Sequence, residues 1–577
     1  MQDIELGMQS LSLVPAADAR REQQPILMPH QIKAHEFIRK RESGSDRVNL
    51  VLGGFLGMQM GMGKTLTMLS HIHHTTSQSS SSLMAQPPAQ GLSPTLVVCP
   101  KTAMLTWKQE IAKHYPGHFR VLIFRKDETN VEDLSLELIK EYDIVITNYD
   151  YVRSLAKKFD LFELLAVKDA RDRLIGANVA SRPLSNATSG EAILFSLRWG
   201  RIIADESHNF SNYKTACWQS MMCLCGTYRW CLTGTPIRNV CDDLYAQYKF
   251  LGYRDPKFDI KEFRKLKLDS VLYYLNYEKA NITLPEINHY RVPVYLKGNN
   301  KNIYDYYLDK ANEAYESFTI GTKSFVEVLS LFIRLRQICV APWTVTPRID
   351  HFTTEQKDAY ELSQLELDEV SEGLATWIND KHGTAGFLSP KIVKTMQIIN
   401  SIPKGEKIIV FTMFKRVIEV LEWVCNEKSF VSIHGDVTGQ KRTNILNSFK
   451  KEHADPNDNI DVLFISYKIG AESLNLTEAT HVILLEPWWC PAVIDQAKSR
   501  VHRLGQTKST NIYELYVKST KDLASMEEAI IEYCDAKREK AKLYYDEGKM
   551  DPDFKMNART LGMILSRTTC RIPSRQS

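Results

Sequence analysis

The stretch VLGGFLGMQMGMGKTLTMLS, residues 51 to 70, constrains the fold more than any other part of the chain. An apolar segment from 49 to 56 leads into a glycine-rich turn, and a helical pattern follows from Lys64 to His74. After a polar interval, the apolar segment TLVVCP occupies residues 95 to 100. This order of strand, loop, helix and strand is typical of parallel sheets, whose strands are joined by crossover helices. We therefore expect an α/β fold.

The glycine-rich turn has the parts of a phosphate-binding loop. A loop of this kind surrounds phosphates with backbone N–H groups and a helix N-terminus, while a lysine neutralises charge and a hydroxyl meets magnesium. Gly61, Gly63, Lys64 and Thr65 supply these parts, although Met58 stands where the first glycine of GxxxxGK[ST] is expected. A tight strand-to-helix turn without a ligand is the alternative that this stretch alone leaves open.

Two acidic residues follow another apolar segment, in RIIADESH. A parallel sheet presents such residues to a ligand at the carboxyl ends of its strands. Asp205 is therefore a candidate to hold magnesium, and Glu206 a candidate to orient and deprotonate an attacking water. A solvated acidic turn is the alternative.

A third set of polar residues lies in WWCPAVIDQAKSRVHRLGQTK, residues 488 to 508. If residues 491 to 503 are helical, Gln496, Arg500 and Arg503 fall on one face, where two guanidinium groups could bind a γ-phosphate. An ordinary solvated basic helix explains the same pattern. These arginines belong to a different lobe from the loop, so they could couple closure of the lobes to hydrolysis.

Apolar segments divide the chain into two doubly wound parallel-sheet lobes with helical insertions. We expect a flexible leader at 1–25, a first lobe at 26–275, a helical region at 276–388, a second lobe at 389–524, and a C-terminal helix (525–545) with a loose basic tail to 577. The first lobe contains a Ser-, Pro- and Gln-rich segment (75–94), expected to be disordered, and an insertion (157–199) expected to include a packed amphipathic helix. Besides the segments named above, the predicted strands are 119–124, 142–149, 200–206 and 229–235 in the first lobe and 406–412, 429–435, 461–466, 481–487 and 511–517 in the second.

Composition excludes several classes of protein. The net charge of +4 neither requires nor rules out a polyanionic partner, so any nucleic-acid site must be local. The sequence has no apolar run long enough for a membrane span, no secretory signal and no CxxC pair, which predicts an intracellular protein with reduced thiols. Five of the 11 cysteines lie between Cys217 and Cys241, where buried free thiols are favoured over a metal cluster.

Together, MGMGKT, LVVCPKTAMLTWKQEI, DESH, WCLTGTPIRN, SLNLTEATHVILLEPWW and DQAKSRVHRLGQTK resemble the motifs of the SWI/SNF-type (sucrose-nonfermenting) ATPases, a branch of the superfamily-two helicase-like enzymes. The resemblance covers roughly residues 26 to 520. It implies two RecA-like lobes that hydrolyse ATP with Mg²⁺ and step along double-stranded DNA. The resemblance also implies that the protein remodels or displaces DNA-bound proteins, including nucleosomes, and that it is nuclear.

The same resemblance assigns expected roles to further residues. LMPHQIKAHEFI would place Gln31 against adenine, and Gly470 would lie near ATP. Residues that match DNA contacts of relatives are Lys101, Thr102, Asn148, Asn475 and Trp489. Residues that would relay the nucleotide state to the DNA are Thr233, Gly234 and Thr235, with Pro236. Ordinary packing within each lobe is the alternative for all of these.

Three positions depart from the family pattern. Met58 and Gln59 replace an Asp-Glu pair, Cys490 replaces an asparagine, and GAESLNL replaces a sequence richer in glycine. We expect hydrolysis to survive these changes, because the loop binds mainly through backbone donors and Lys64. The change at Met58 and Gln59 would alter ATP affinity or gating, and the changes at Cys490 and in GAESLNL would affect coupling to DNA more than hydrolysis. A strand-separating DNA or RNA helicase, an ATPase that acts on RNA or protein, and a non-catalytic DNA-binding scaffold remain alternatives; the oligomeric state is left open.

Overall fold

The computed structural model describes residues 25–44, 52–81, 93–162, 190–234, 242–252, 271–341, 389–437, 439–451, 455, 458–470, 474–520, 523–547 and 558–568. The chain divides into two compact units. The first comprises Met1–Gln59, Gly63–Gly234 and Tyr245–Asn276, and the second comprises Met60–Met62, Thr235–Leu244 and Tyr277–Ser577. Each unit is built on its own parallel sheet, which confirms the predicted fold class.

The sheet of the first unit has seven strands in the order β3-β4-β2-β5-β6-β1-β7. The strands are β1 (Gly53–Met58), β2 (Thr95–Cys99), β3 (Val121–Ile123), β4 (Ile144–Asn148), β5 (Arg198–Asp205), β6 (Cys225–Leu232) and β7 (Leu272–Leu275). The helices along this part of the chain are α1 (Pro29–Ser43), α2 (Lys64–Ser81), α3 (Ala103–His114), α4 (Leu136–Ile139), α5 (Tyr149–Lys158), α6 (Ile193–Ser196), α7 (Ala216–Met222) and α8 (Asp242–Phe250). Short 3₁₀ helices lie at Val131–Asp133, Gly190–Ala192 and Ser207–Phe210.

The central strands of this sheet are buried from end to end, since all residues of β1, β2 and β4 are buried. Such burial is typical of a parallel sheet covered by helices on both faces, and it explains why these strands are apolar without alternation. All strands point the same way, so their carboxyl ends share one edge. The glycine loop, Lys101, Asn148 and Asp205 follow or end strands at this edge.

The sheet of the second unit has six parallel strands in the order β10-β11-β9-β12-β13-β8. The strands are β8 (Ile287–Val294), β9 (Lys407–Thr412), β10 (Phe430–Ile433), β11 (Val462–Ser466), β12 (Ala479–Leu484) and β13 (Thr510–Val517). The helices are α9 (Gly298–Thr319), α10 (Phe325–Val340), α11 (Pro390–Ser401), α12 (Lys415–Val424), α13 (Gly439–Lys450), α14 (Tyr467–Gly470), α15 (Pro491–Lys498), α16 (Met526–Glu547) and α17 (Ala558–Thr568).

Apolar clusters cover both faces of this sheet, and a third cluster joins α9, α10, α16 and α17. The sequence VEVLSLFIRLRQICV, residues 326–340, has the apolar spacing of an amphipathic helix and coincides with α10, whose N-terminus is capped by Ser324 and Glu327. Helix α16 likewise matches the C-terminal helix predicted from the sequence.

Three expectations about local structure were wrong. Helix α2 continues to Ser81, so the first residues of the segment expected to be disordered (75–94) are helical. The basic tail contains α17, whose Leu561, Ile564 and Leu565 are buried among α9, α10 and α16. Helix α15 ends at Lys498 rather than continuing to residue 503.

Two strands, β7 and β8, were missed. Each lies at an edge of its sheet, and β8 carries mostly exposed or half-buried residues, with Pro293 among them. An edge strand needs no continuous apolar pattern, because one of its sides has no neighbouring strand to pack against. The insertion at 157–199 can be judged only at its ends, since residues 163–189 lie outside the described residues.

None of the helices in the described ranges is long and apolar enough to cross a membrane. Within those ranges no three His, Cys, Asp or Glu side chains are grouped closely enough to hold a metal ion. Cys217, Cys223, Cys225 and Cys231 are free thiols, of which Cys231 is buried and the other three are partly exposed, and Cys241 lies outside the described part.

Candidate functional site

The glycine loop joins the buried strand β1 to the N-terminus of α2. Gly61 and Gly63 have φ angles of +82° and +79°, the left-handed region that a glycine adopts at no steric cost. Helix α2 begins at Lys64, whose Nζ donates a hydrogen bond of 2.9 Å to the carbonyl of Met58. Thr65 is the second residue of the same helix. The loop therefore places its lysine and hydroxyl at a helix N-terminus, where anions bind.

The Gln31 side chain lies against this loop. Its Oε1 accepts a hydrogen bond of 2.9 Å from the N–H of Met28, which fixes the amide at the start of α1. A Cβ added to Gly63 would stand only 2.2 Å from Gln31 Nε2, so the amide occupies space that a side chain at position 63 would need. The structure thus brings Gln31 and Gly63 together.

Met58 ends β1 and is fully buried, while Gln59 is exposed. The carbonyl of Met58 is the atom that receives the Lys64 ammonium. The substitution of an acidic residue by methionine at this position therefore leaves the lysine contact intact, because that contact uses the backbone.

Asp205 ends β5, which is separated from β1 by β6 alone. Trp107 Nε1 donates to its Oδ2 at 2.9 Å, the N–H of Glu206 donates to its Oδ1 at 3.0 Å, and the Tyr149 hydroxyl donates to its carbonyl at 2.6 Å. Burial raises the pKa of the Asp205 carboxyl to about 6, and the charge of Glu206 acts in the same direction.

The Trp107 hydrogen bond, the charge of Lys64 and the Glu206 N–H favour the ionised carboxylate and lower its pKa. Lys64 follows β1 and Asp205 ends β5, and both strands point the same way in one parallel sheet with only β6 between them. Lys64 and Asp205 therefore lie at the carboxyl edge of one sheet, although about 140 residues separate them in the sequence.

Glu206 adopts a left-handed backbone conformation, with a φ of +48°. Non-glycine residues rarely do so, and such strain is typical of functional positions. His208 Nδ1 lies 3.3 Å from Glu206 Oε2. The hydroxyl of Ser207 donates to Gln247 Oε1 at 2.5 Å, which ties this turn to α8.

Trp107, Tyr149, His208 and Gln247 were not assigned roles from the sequence. Trp107 is fully buried, and an indole N–H in a core needs an acceptor. The sequence therefore indicates that a buried Trp107 needs a hydrogen-bond acceptor. It does not indicate which residue accepts, because Asp205 lies 98 positions away.

The residues proposed as DNA contacts in the first unit lie at the same sheet edge. Lys101 and Thr102 follow β2, and Asn148 ends the neighbouring β4, with Cys99 and Asn148 in register. Lys101 is exposed, whereas Asn148 is buried and its Oδ1 accepts from the N–H of Tyr151 at 2.9 Å as the cap of α5. Thr233 is buried and its N–H donates to Leu56, Gly234 follows it, and Thr235 lies outside the described residues.

The second unit carries the remaining candidate residues. Gln496 lies on α15 and is buried, whereas Arg500 and Arg503 lie beyond its end in consecutive turns. The expected common helical face is therefore absent. After Lys498 the chain forms backbone hydrogen bonds that span three residues, as in a 3₁₀ turn. They run from the N–H of Arg500 to the carbonyl of Ala497 and from the N–H of Val501 to the carbonyl of Lys498.

The segment around Asn475 holds these turns in place. The carbonyl of Arg500 accepts a bond of 3.0 Å from the N–H of Leu476, and Arg503 Nη1 donates to the carbonyl of Leu474 at 3.3 Å. Asn475 itself is exposed between these two anchors. The second unit therefore brings Asn475 and both arginines together, while Gly470 ends α14 nearby in sequence.

Comparison with known proteins identifies the class to which the chain belongs, the helicase-like ATPases. Residues 30–344 match the family model described as "SNF2-related domain", and residues 390–505 match "Helicase conserved C-terminal domain". The chain belongs to the SNF2-related family of ATPases, which confirms the resemblance found in the sequence motifs.

Relatives in this family include viral, repair and chromatin proteins. The chain is 32% identical to "Putative helicase 172L" of Invertebrate iridescent virus 6, over 91% of each chain. It is 25% identical to "DNA repair protein RAD5A" of Arabidopsis thaliana over 74% of this chain, and it spans 48% of that relative. It is 24% identical to "ISWI chromatin-remodeling complex ATPase ISW2" of Saccharomyces cerevisiae over 86% of this chain, and spans 39% of that protein. The Sulfolobus solfataricus SWI2/SNF2 ATPase core, solved in complex with dsDNA, aligns over 95% of this chain with 22% identity and a TM-score of 0.34.

Proposed function

We propose that this ATPase is a translocase that moves on double-stranded DNA and displaces or repositions proteins bound there. The observation that carries the proposal is the meeting of Gln31, Gly63, Lys64 and Asp205 at one sheet edge, with Lys101 exposed at the same edge. In this proposal the ATP-hydrolysing site and a lysine that contacts DNA phosphates belong to one sheet. The names of RAD5A and ISW2 associate the family with DNA repair and chromatin remodelling, which supports DNA as the track.

In this proposal each residue around the glycine loop has a defined role. The Gln31 amide binds the adenine, the N–H groups around Gly61 and Gly63 surround the phosphates, and Lys64 neutralises their charge. Asp205 and the Thr65 hydroxyl would hold magnesium. Asp205 and Thr65 fit a divalent cation because they supply oxygen donors, which magnesium prefers, at the sheet edge where the loop meets α2.

The chemistry that magnesium supplies when bound is neutralisation of charge on the terminal phosphates. Glu206 would orient the attacking water and accept its proton, with His208 3.3 Å from its carboxylate. Arg500, Arg503 and Gln496 would stabilise the charge that develops on the transferred phosphoryl group, and Gly470 would lie near ATP. Thr233, Gly234 and Thr235 would relay the nucleotide state to the DNA-contacting residues.

Contacts to DNA would run through Lys101, Thr102, Asn148, Asn475 and Trp489. Contacts of this kind go mainly to phosphates, and movement along DNA of any sequence requires that they do. Nucleosomes or other DNA-bound proteins would be the bodies displaced. Work on chromatin would place the protein in a nucleus, and the iridescent-virus relative makes a viral source one setting for that work.

The test is ATP turnover by the purified chain with duplex DNA, single-stranded RNA or no nucleic acid. We expect duplex DNA to stimulate turnover and RNA to do so less. Lys64→Ala should abolish turnover and leave DNA binding intact, whereas Lys113→Ala, an exposed lysine on α3, should match the wild type. Equal stimulation by RNA would favour an RNA-directed enzyme, and absence of turnover would favour a scaffold.

Movement is tested separately from hydrolysis. A translocase displaces a third strand from a triplex without separating the underlying duplex, whereas a helicase releases a strand from a forked duplex. We expect ATP-dependent triplex displacement, reduced by Lys101→Ala and unaffected by Lys113→Ala. Strand release from the fork at a comparable rate would instead assign the protein to the strand-separating enzymes.

A further inference from the structure

Two helices hold the segment that joins β12 to α15, Pro487–Trp489. Its three consecutive carbonyls accept hydrogen bonds from side chains of α10 and α16. The bonds run from Arg336 Nη2 to Pro487 (2.9 Å), from Cys534 Sγ to Trp488 (3.0 Å) and from Lys537 Nζ to Trp489 (3.2 Å). Carbonyls in a connecting segment usually bond to water or to nearby backbone. Side chains from two distant parts of the chain therefore fix the path of this segment, which we call the tryptophan turn.

The two indoles of the tryptophan turn form a stacked pair beside Arg336. The ring centroids of Trp488 and Trp489 are 3.9 Å apart with an interplanar angle of 25°. The guanidinium carbon of Arg336 lies 4.2 Å from the first centroid and 4.8 Å from the second. A guanidinium at these distances is attracted by the faces of the rings. Arg336 therefore binds the turn through its backbone and through both side chains.

Stability alone does not favour an arginine at position 336. The side chain is completely buried, and Nε and Nη1 have no hydrogen-bond partner among the described residues. Glu486 is also buried, and its Oε2 likewise lacks a partner in those ranges. A buried charge that makes few hydrogen bonds usually costs more than an apolar side chain of similar size. What Arg336 contacts instead are the two indoles and the Pro487 carbonyl.

The tryptophan turn lies between the sheet core and the helices that hold it. Trp489 packs against the apolar cluster of the sheet and also against the cluster of α9, α10, α16 and α17, with Phe332 6.0 Å away between ring centroids. Arg538 of α16 adds an ion pair of 3.1 Å to Asp495 on α15, the helix that follows the turn. Both indoles remain partly exposed. A side chain that is anchored on one side and exposed on the other is suited to contact a ligand in a fixed orientation.

We propose that Arg336 and Lys537 are positioning residues that hold the Trp488–Trp489 pair in the orientation through which the second unit engages DNA. The inference rests on the proposed function, because it uses Trp489 as a DNA contact. It extends that function by assigning control of the contact to α10 and α16, which lie outside the six-stranded sheet. Changes in either helix would alter the response to DNA before they alter the chemistry of ATP.

The orientation of the pair can be measured without DNA. Two indoles stacked at this distance give an exciton couplet in the far-UV circular dichroism, identified as the signal lost in Trp488→Phe. We expect the full-length Arg336→Met variant to lose most of the couplet and Arg336→Lys to retain part of it. The control is Arg334→Met on the same helix, since Arg334 bonds Gln337 and not the tryptophan turn. An unchanged couplet in Arg336→Met overturns the positioning role.

The consequence for DNA is measured as the concentration of duplex that gives half-maximal stimulation of ATP turnover. Arg336→Met and Lys537→Met should raise it by roughly tenfold, equivalent to about 1.4 kcal/mol. Turnover without DNA and the KM for ATP should stay at the wild-type level, a separation that general loss of structure would not produce. If Arg336→Met does not fold, Arg336→Lys and Lys537→Met carry the test. If both of these variants reach half-maximal stimulation at the same DNA concentration as the wild type, the inference is overturned. If DNA does not stimulate even the wild-type enzyme, the proposed function is refuted, but the dichroism test remains valid.

Discussion

Replacement of Asp205 by asparagine should abolish ATP hydrolysis and at the same time stabilise the first unit near neutral pH. Folding raises the pKa of this carboxyl from 3.8 to about 6, mainly because burial disfavours its charge. The protonated form is therefore favoured in the folded state. The stabilising contribution of the carboxyl is fully present below pH 3.8 and is lost as the pH rises through about 6.

The shift sets the size of the effect. A rise of about 2 pH units corresponds to ~3 kcal/mol of folding free energy that the ionised carboxyl forfeits above pH 6. Asparagine carries no charge and avoids this loss. It can accept one hydrogen bond through its oxygen, but its NH₂ group would face the N–H of either Trp107 or Glu206, which costs about 1 kcal/mol. The net gain is ~2 kcal/mol near pH 8, which corresponds to a rise of roughly 4–8 °C in the melting temperature of a unit of this size.

The assay is thermal and urea unfolding of the wild type and Asp205→Asn between about pH 4 and pH 8, without nucleotide or magnesium. The difference should shrink continuously as the pH falls below 6 and reverse near 4, where only the lost hydrogen bond remains. A variant that is less stable than the wild type at pH 8, or a difference that does not change with pH, would refute the reasoning. As a companion, Trp107→Phe removes a donor to the carboxylate and should move the acidic limb of the activity profile to higher pH.

Two further changes test the packing around the site and in the second unit. Gly63→Ala should weaken ATP binding, because its Cβ would stand 2.2 Å from Gln31 Nε2 and would displace the amide proposed to bind adenine; Gly117→Ala, which has a similar φ of +71° and no atom within 4 Å, should cost stability but leave binding unchanged in a fluorescent-nucleotide titration. Lys391→Met should destabilise the second unit by roughly 3–5 kcal/mol, because it leaves the buried carboxylate of Glu527 uncompensated. The double variant with Glu527→Met should recover most of that loss in urea unfolding. If it does not, the hydrogen bond from the Val517 N–H to Glu527 contributes more to stability than the ion pair does.

Much of the fold could be predicted because buried parallel strands leave a strong pattern. Strands such as β2 and β4 are continuous apolar runs, and the glycine loop fixed the position of the helix that follows it. The edge strand β8 left no such pattern. Helix α17 was missed because its packing is tertiary: a Cβ at Gly562 would stand 1.9 Å from the hydroxyl of Tyr315, so the fit to α9 requires glycine there.

The candidate site was predictable where a motif carries its own chemistry. Lys64, Asp205 and Glu206 are candidates because their residue types and their positions after strands are typical of a phosphate site, and the structure places Lys64 and Asp205 at one sheet edge. The hydrogen bond from Trp107 to Asp205 could not be predicted from the sequence, because the two residues come together only when the sheet has folded. The arginine turns were predicted as a helix because residue spacing alone does not reveal that the carbonyl of Arg500 is held by Leu476.

The part of the proposed function that most needs a test is the role of Arg503 in phosphoryl transfer. It is tested most directly by ATP turnover with saturating duplex DNA in the wild type, Lys64→Ala and Arg503→Ala, with nucleotide and DNA binding measured on the same preparations. The account predicts that Arg503→Ala binds ATP and DNA but turns over about a thousandfold more slowly, as expected when a guanidinium that stabilises phosphoryl transfer is removed. Turnover by Arg503→Ala at the wild-type rate would contradict it.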